Sequence, residues 1–193
     1  LAVGEYKVNL TTSPLNGNYS VAVYQAKLTI YNANSSVVIS PIVNVTYPDS
    51  TVINFTVVNA TNVTWTIKNK VTLAEISVNS LDNISIALDA GNYTVTVVND
   101  GTVNITGSSA SADFTVNKAN ASVYADDVRM VYGINATVVV SSQNATSVSV
   151  VVFNDGGIVY NNASALANGN VVLPVLAVGE YKVNLTTSPL NGN

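Results

Sequence analysis

The first eighteen residues, LAVGEYKVNLTTSPLNGN, return letter for letter at 176–193. Whatever structure the first copy forms, the second must be able to form too, so the fold is modular with a period of 176 minus 1, or 175 residues. A weaker repeat lies inside it. LDAGNYTVTVV from Leu88 lines up with LAVGEYKVNLT from Leu1 and from Leu176, at offsets of 87 and 88 residues. Upstream, SVVISPIVNVTYPDSTV from Ser36 resembles SVYADDVRMVYGINATV from Ser122, and NATNVTWTIKN from Asn59 resembles NATSVSVVVFN from Asn144. One unit is about 87 residues, neighbouring units have diverged, and the spacing of two units is conserved to the letter. This is the signature of a window onto a tandem array whose period is a pair of domains.

Inside a unit the apolar residues alternate. Val43, Val45 and Tyr47 are separated by Asn44 and Thr46; Ile53, Phe55 and Val57 by Asn54 and Thr56; Val63, Trp65 and Ile67 by Thr64 and Thr66. Each run predicts a half-buried strand. The runs recur every 8 to 12 residues between turn signals such as Asn99-Asp100-Gly101 and Asn154-Asp155-Gly156-Gly157, and no segment carries a 3.6-residue stripe long enough for a helix. The expected fold class is all-β: tandem Ig-like β-sandwich domains without disulfides, since the chain holds no Cys. Leu88-Asp89-Ala90-Gly91-Asn92-Tyr93 predicts a tyrosine corner leading into a strand F, with Tyr6 and Tyr181 in the same slot. Val95 stands where an antibody domain has its second Cys, and Trp65 falls on the predicted strand C, with Val150 as its counterpart. Apolar packing takes the place of the disulfide.

If strand F begins at each Leu-x-x-Gly-x-Tyr, residues 1–31 are the F and G strands of a preceding unit and residues 32–118 a complete sandwich. Residues 119–193 are then a sandwich lacking its last strand, completed by the following copy. Two architectures would supply that strand: the chain continues, or another subunit donates its segment from Tyr19 to Ile30. The redundant second copy of strand F favours continuity. Either way a head-to-tail relation that does not close gives a linear fibre. No apolar run reaches the ~18 residues of a membrane span, and Leu1 opens in mid-pattern, so an export signal or anchor is expected outside this window.

The strings AGNYTVTV, FTVNKANASV, VYGINATVVV and LPVLAVGEY together resemble the tandem immunoglobulin-like repeats of adhesin-like surface proteins of methanogenic archaea. The resemblance covers nearly the whole chain; Pro48 departs from it where Gly133 stands in the neighbouring unit. It implies an extracellular, cell-surface protein built from repeats, with no catalytic residue to carry over. The implied partners are neighbouring copies in a linear fibre, and surface carbohydrate or another cell where the domains are adhesive.

Composition narrows the chemistry. Charged residues are 9% of the chain, against roughly 25% in an average soluble domain. With no Cys and no His, thiol nucleophiles, imidazole bases, the Ser-His-Asp triad and the usual zinc sets are excluded. A net charge of −4 has the wrong sign for nucleic acid or anionic lipid, so neither is expected as a partner. Lys7, Lys27, Lys68, Lys70, Lys118 and Lys182 among many Asn suggest isopeptide bonds, but no buried acid stands beside them in the sequence pattern. Acidic pairs for glycoside hydrolysis sit in separate turns, without an aromatic cleft. Asp126 and Asp127, near the Lys118-Ala119-Asn120 junction, are two carboxylates where a calcium shell needs six or more oxygens, and are read as a solvated loop. We expect no enzyme and no cofactor.

The densest functional signal is Asn-x-Ser/Thr. Fifteen sequons occur among 27 asparagines, at Asn9, Asn18, Asn34, Asn44, Asn54, Asn59, Asn62, Asn83, Asn92, Asn104, Asn120, Asn135, Asn144, Asn162 and Asn184. Chance would produce about five. Alternation accounts for part of the excess, because a solvent face written in Asn and Thr places them two apart. The scarcity of Lys and Glu favours a surface designed for sugar, which would also block strand edges from pairing. Asn92, Asn104, Asn44 and Asn54 are the favoured acceptors. The function expected is a structural and adhesive component of a glycosylated surface fibre or stalk. The alternative is a carbohydrate-binding or cell-recognition module using Tyr24, Tyr31, Tyr124 and Tyr160 as stacking platforms.

Overall fold

The computed structural model describes residues 1–189, and all of its regular structure is strand. The last four residues of the second LAVGEYKVNLTTSPLNGN copy lie outside the described residues. Two compact units divide the chain: Leu1–Val45 with Asp49–Val116, and Thr46–Pro48 with the chain from Asn117 onward.

The first unit begins with a hairpin, β1 (Gly4–Thr11) and β2 (Val23–Ile30), paired antiparallel from Gly4 opposite Ile30 to Thr11 opposite Val23. Then follow β3 (Ser36–Ile39), β4 (Val45–Thr46), β5 (Ser50–Ile53), β6 (Phe55–Val58), β7 (Val63–Asn69), β8 (Glu75–Asn79), β9 (Ile84–Ala87), β10 (Gly91–Asn99) and β11 (Ser108–Asn117). One sheet runs in the order β4-β11-β10-β7-β8. The other layer is made of β3 on β6 and β5 on β9, where β5 and β6 are two halves of one apolar run parted at Asn54. Alternation decides what the layers bury: Ile53, Phe55 and Ile84 from one, and Val63, Trp65, Ile67, Val95 and Val97 from the other. Each such side chain contributes about 1.5–3 kcal/mol on leaving water. Trp65 lies buried on β7 and Val95 is fully buried on β10, so packing occupies the disulfide's position.

The Tyr93 hydroxyl donates to the Asp89 carbonyl at 2.7 Å, closing a tyrosine corner at the head of β10. Its ring stacks on Phe114, with centroids 5.4 Å apart. Tyr6 repeats the bond to Ala2 at 2.7 Å and Tyr181 repeats it to Ala177 at 2.9 Å. Three equivalent corners therefore stand 87 and 88 residues apart, as the sequence repeat requires.

On the outer face of the β11-β10-β7-β8 ladder, three cross-strand pairs join through neutral groups, beside the ion pair Lys68–Glu75 and the Thr94–Asp113 bond. Thr66 and Ser77 share a hydroxyl bond of 3.0 Å, Thr96 and Ser111 one of 2.9 Å, and Thr115 donates to Asn92 at 2.8 Å. Inside, Asn99 is buried and satisfied: its Oδ1 accepts from the Thr61 N–H at 2.9 Å and the Thr61 hydroxyl at 2.8 Å. Thr51, also buried, has no partner for its hydroxyl among the described residues. The β10–β11 turn needs glycine at Gly101, where φ is 78° and a Cβ would come within 2.5 Å of the Gly107 nitrogen.

The second unit holds β12 (Ser122–Ala125), β13 (Thr137–Gln143), β14 (Ala145–Asn154), β15 (Gly157–Leu166), β16 (Gly169–Val172) and β17 (Lys182–Pro189). They form two sheets of three, β12-β13-β16 and β15-β14-β17. The core is written almost wholly in valine, with Val138 and Val140 facing Val148, Val150 and Val152. Pairing matches the first unit: Val138 sits opposite Val171 as Ile53 sits opposite Ile84, which places Ala136 at the position of Thr51. Val150 is buried in the place of Trp65.

Candidate functional site

In the first unit β10 has a partner on each side, β7 and β11. Its counterpart β17 pairs with β14 alone, and no other described strand meets its second edge. A sheet edge that ends there leaves a row of backbone N–H and C=O groups without ladder partners. Beside it the inner face is uncovered. Val95 is 0% exposed on β10, whereas Val183, in the same slot of β17, is 39% exposed. The opening is a groove of about 990 Å³, floored by core residues Val138, Val152 and Leu173 and walled by β17 and by the strandless segment 126–135. Along that segment Val128, Met130, Val131, Tyr132 and Ile134 are exposed. Five large apolar side chains within seven residues of solvent-facing chain form the kind of patch that marks a binding surface. Sequence reasoning did not single them out, because residues 126–135 carry no clean alternation.

The hairpin at the other end carries the complementary feature. Opposite Tyr6, Val8 and Leu10 on β1 stand Leu28, Ala26 and Tyr24 on β2. Opposite Tyr93, Val95 and Val97 on β10 stand Phe114, Ala112 and Ala110 on β11. The inward rows read Tyr-Ala-Leu-Ile on β2 and Ala-Ala-Phe-Val on β11. Phe114 and Val116 are buried, while Leu28 remains 41% exposed. Thus β2 has the face of a core strand and no core over it. The alternation of Tyr24, Ala26, Leu28 and Ile30 was the signal available for this in the sequence.

Fourteen of the fifteen sequon asparagines are exposed, and Asn162 is half-buried. Their amides are not equivalent, because sugar is attached to Nδ2. At Asn44, Asn83, Asn92 and Asn104 the amide oxygen is the anchored atom, accepting from the Thr115 N–H, the Phe55 N–H, the Thr115 hydroxyl and the Val3 N–H respectively. Asn162 likewise accepts from the N–H of its own sequon serine, Ser164, at 3.1 Å, and Asn9 from Gln25 at 2.9 Å. At Asn59 and Asn144 the nitrogen is engaged instead. Each takes a positive φ, 53° and 55°, and donates from Nδ2 to the carbonyl of Asn34 at 2.7 Å or of Asn120 at 2.9 Å. Asn59 and Asn144 thereby tie the end of one strand to the start of another at the same place in both units. Asn62 also donates from Nδ2, to Asp100 at 2.6 Å. Asn44 and Asn54, expected on a strand face, sit immediately before β4 and in the break between β5 and β6. Asn18, Asn34, Asn120 and Asn135 lie outside the strands, and Asn184 is on β17.

Of the tyrosines considered as stacking platforms, Tyr24, Tyr31 and Tyr124 are exposed, but Tyr160 is half-buried against the valine core. The Tyr124 hydroxyl donates to Asp126, and that hydrogen bond, with the carboxylate's charge after it, holds the phenol above its usual range. Asp113 is held below the usual carboxylate range by Lys70, 2.5 Å away, and by the Thr94 hydroxyl at 2.7 Å. Among the described residues no three acidic side chains gather as a metal site.

No protein-family model matches the chain, and no curated protein does. A crystal structure of a tetra-tandem repeat in the extending region of a large adhesion protein resembles it with a TM-score of 0.40 at 15% identity. The match spans 100% of this chain and 58% of that one.

Proposed function

We propose that the chain is a structural repeat of an extracellular, cell-surface fibre or stalk, built from Ig-like sandwiches in head-to-tail order and coated with N-linked sugar. The observation that carries this is the succession of three equivalent tyrosine corners, at Tyr6, Tyr93 and Tyr181, along one chain whose first and third strand sequences are identical. A module repeated in line and spaced by whole domains is the construction of a spacer. The surface supports an exposed setting, because neutral Asn, Ser and Thr replace charge and the sequons face solvent. The resemblance to methanogen adhesin-like repeats points the same way. The reading assigns the chain no reaction and no cofactor; its partners are further copies of itself, with carbohydrate or a neighbouring cell as the target of any adhesive domain.

Two measurements test this on material from the native source. Antibody against the chain should label fibres on intact cells, and labelling confined to the cell interior would refute the reading. Glycopeptide mass spectrometry should find sugar at Asn44, Asn92 and Asn104 and none at Asn59 or Asn144, whose amide nitrogens are committed to backbone carbonyls. Unmodified asparagine at all fifteen positions would remove the glycan from the proposal.

A further inference from the structure

We propose that the turn between β10 and β11, residues 100–107, is a docking surface for the preceding repeat. It grips that repeat's β1–β2 hairpin at both ends, so the joint between repeats is a fixed bracket and not a hinge. The inference rests on the repeat reading above and deepens it by naming where one repeat seats the one before.

The turn holds its own shape. Its neck is made of two glycines: Gly101 has φ 78°, and a Cβ on Gly107 would come within 2.9 Å of the Asp100 carbonyl oxygen. Above the neck Thr102 and Ile105 exchange backbone bonds of 2.8 and 3.3 Å, and the Thr102 hydroxyl accepts from the Asn104 N–H at 3.2 Å. Thr61 anchors the base, its hydroxyl accepting from the Gly101 N–H at 3.0 Å. The Val103 and Asn104 carbonyls are left to meet the chain arriving from β2. That chain has almost no slack. β2 ends at Ile30, opposite Gly4, and after Tyr31 each of residues 32–35 is held. Asn32 donates from Nδ2 to the Val103 carbonyl at 2.9 Å. The Ala33 N–H donates to the Asn104 carbonyl at 2.9 Å, and the Ala33 carbonyl accepts from the Thr106 N–H at 2.9 Å. Asn34 gives its carbonyl to the Asn59 amide, and the Ser35 hydroxyl donates to the Thr106 carbonyl at 2.6 Å. The hairpin's other leg is tied to the same turn: just ahead of β1 the Val3 N–H donates to Asn104 Oδ1 at 3.0 Å. Asn104 therefore grips the hairpin twice, by its side chain where β1 begins and by its main chain after β2 ends. One tether would let a hairpin swivel, whereas two on opposite legs oppose it. A hinge needs residues free to change φ and ψ, and this joint leaves Tyr31 alone between the ladder and the bracket. Both grips use oxygens of Asn104, so its Nδ2 stays available for the sugar proposed above.

The chain has no Cys, so spin labels can be set where the test needs them. One pair, Lys7→Cys on β1 and Val52→Cys on β5, spans the joint from two exposed positions. A control pair, Val52→Cys with Thr64→Cys on β7, lies within the sandwich. Pulsed electron resonance on the full chain should give a spread of distances across the joint as narrow as the control's. Asn32→Ala combined with Asn104→Ala removes one side-chain bond from each leg, and should broaden that spread about twofold while the control pair stays as it was. Ala33→Pro, which deletes the N–H that meets the Asn104 carbonyl, should broaden it too. A wild-type joint much broader than the control overturns the proposal, and that measurement needs no variant. So does a doubly substituted chain whose joint is as narrow as wild type's, because the short linker alone would then set the angle. Broadening of both pairs together overturns it as well, since the bonds would then be holding the sandwich and not the joint. The distances are read on purified chain wherever the protein resides, so this proposal and the surface reading, which rests on cell labelling, can fail separately.

Discussion

The strands β1 and β17 share one sequence and live in different surroundings. On β1, Tyr6, Val8 and Leu10 line a two-stranded hairpin open to water; in the second copy Tyr181, just before β17, and Leu185 on it rest on a valine core while Val183 stays partly exposed. In β10 the corresponding face is closed by β11, and Tyr93, Val95 and Val97 are all buried. The tyrosine corner is nevertheless the same in all three, although β1 begins at Gly4 and β17 three positions later in the shared sequence, at Lys182. The corner is written locally, in the Leu-x-x-Gly-x-Tyr start; the bounds of the strand that follows depend on its surroundings. Burial, and the stability that comes with it, is supplied by whichever strands lie alongside.

The sharpest way to break the comparison is to place a charge in the same slot of two strands. Val95→Asp should destabilise the first unit by about 4 kcal/mol or more, since a carboxylate would enter a closed apolar core. Val183→Asp should stay within about 1 kcal/mol in the monomer, and paired urea titrations would show the gap. Next, Leu185→Ala should cost about 2 kcal/mol, against roughly 0.5 kcal/mol or less for the chemically identical Leu10→Ala. Equal losses would mean that the hairpin has a core of its own. A third substitution contrasts the two units with the opposite sign: Thr51 buries an unpartnered hydroxyl where the second unit has Ala136, so Thr51→Val should raise the stability of the first unit by about 1 kcal/mol.

The smallest effect is electrostatic. Lys70 and Thr94 hold the Asp113 carboxyl below its ordinary pKa, so the folded state binds that proton less readily than the unfolded state. The contribution is therefore present above the usual carboxylate range and fades as pH falls through the depressed folded value. The melting temperature of Asp113→Asn should lie slightly below wild type at neutral pH and meet it in strong acid. A difference unchanged down to the most acidic point would show that the ion pair plays no part.

Much of this architecture was legible in the sequence. Val63-Trp65-Ile67 named strand and face, and Tyr93 announced its corner, because both are set by neighbours one or two residues away. Partnering was not legible. Ile53, Phe55 and Val57 alternate without a break, yet β5 pairs with β9 and β6 with β3, since alternation reports which face is buried and not which strand lies alongside. Val43, Val45 and Tyr47 alternate equally well, but only Val45–Thr46 forms a strand, placed at the edge of the sheet beside β11. The sequon pattern showed the same limit. Asn59 and Asn144 match it as well as Asn44 does, and only the folded chain reveals that their nitrogens hold strands together.

The hydroxyl rows on the outer face, Thr66 with Ser77 and Thr96 with Ser111, have a consequence for habitat. Neither member of such a pair titrates between acid and alkali, and neither draws a counterion, so dissolved salt has nothing to screen. The ion pairs Lys27–Glu5, Lys68–Glu75 and Lys70–Asp113 and the carboxylate bonds of Asp100 and Asp126 do respond to the medium, but they lie beside these rows rather than within them. These hydroxyl rows therefore contribute the same cross-strand cohesion in fresh water, in brine and in acid, whatever the charged pairs beside them lose.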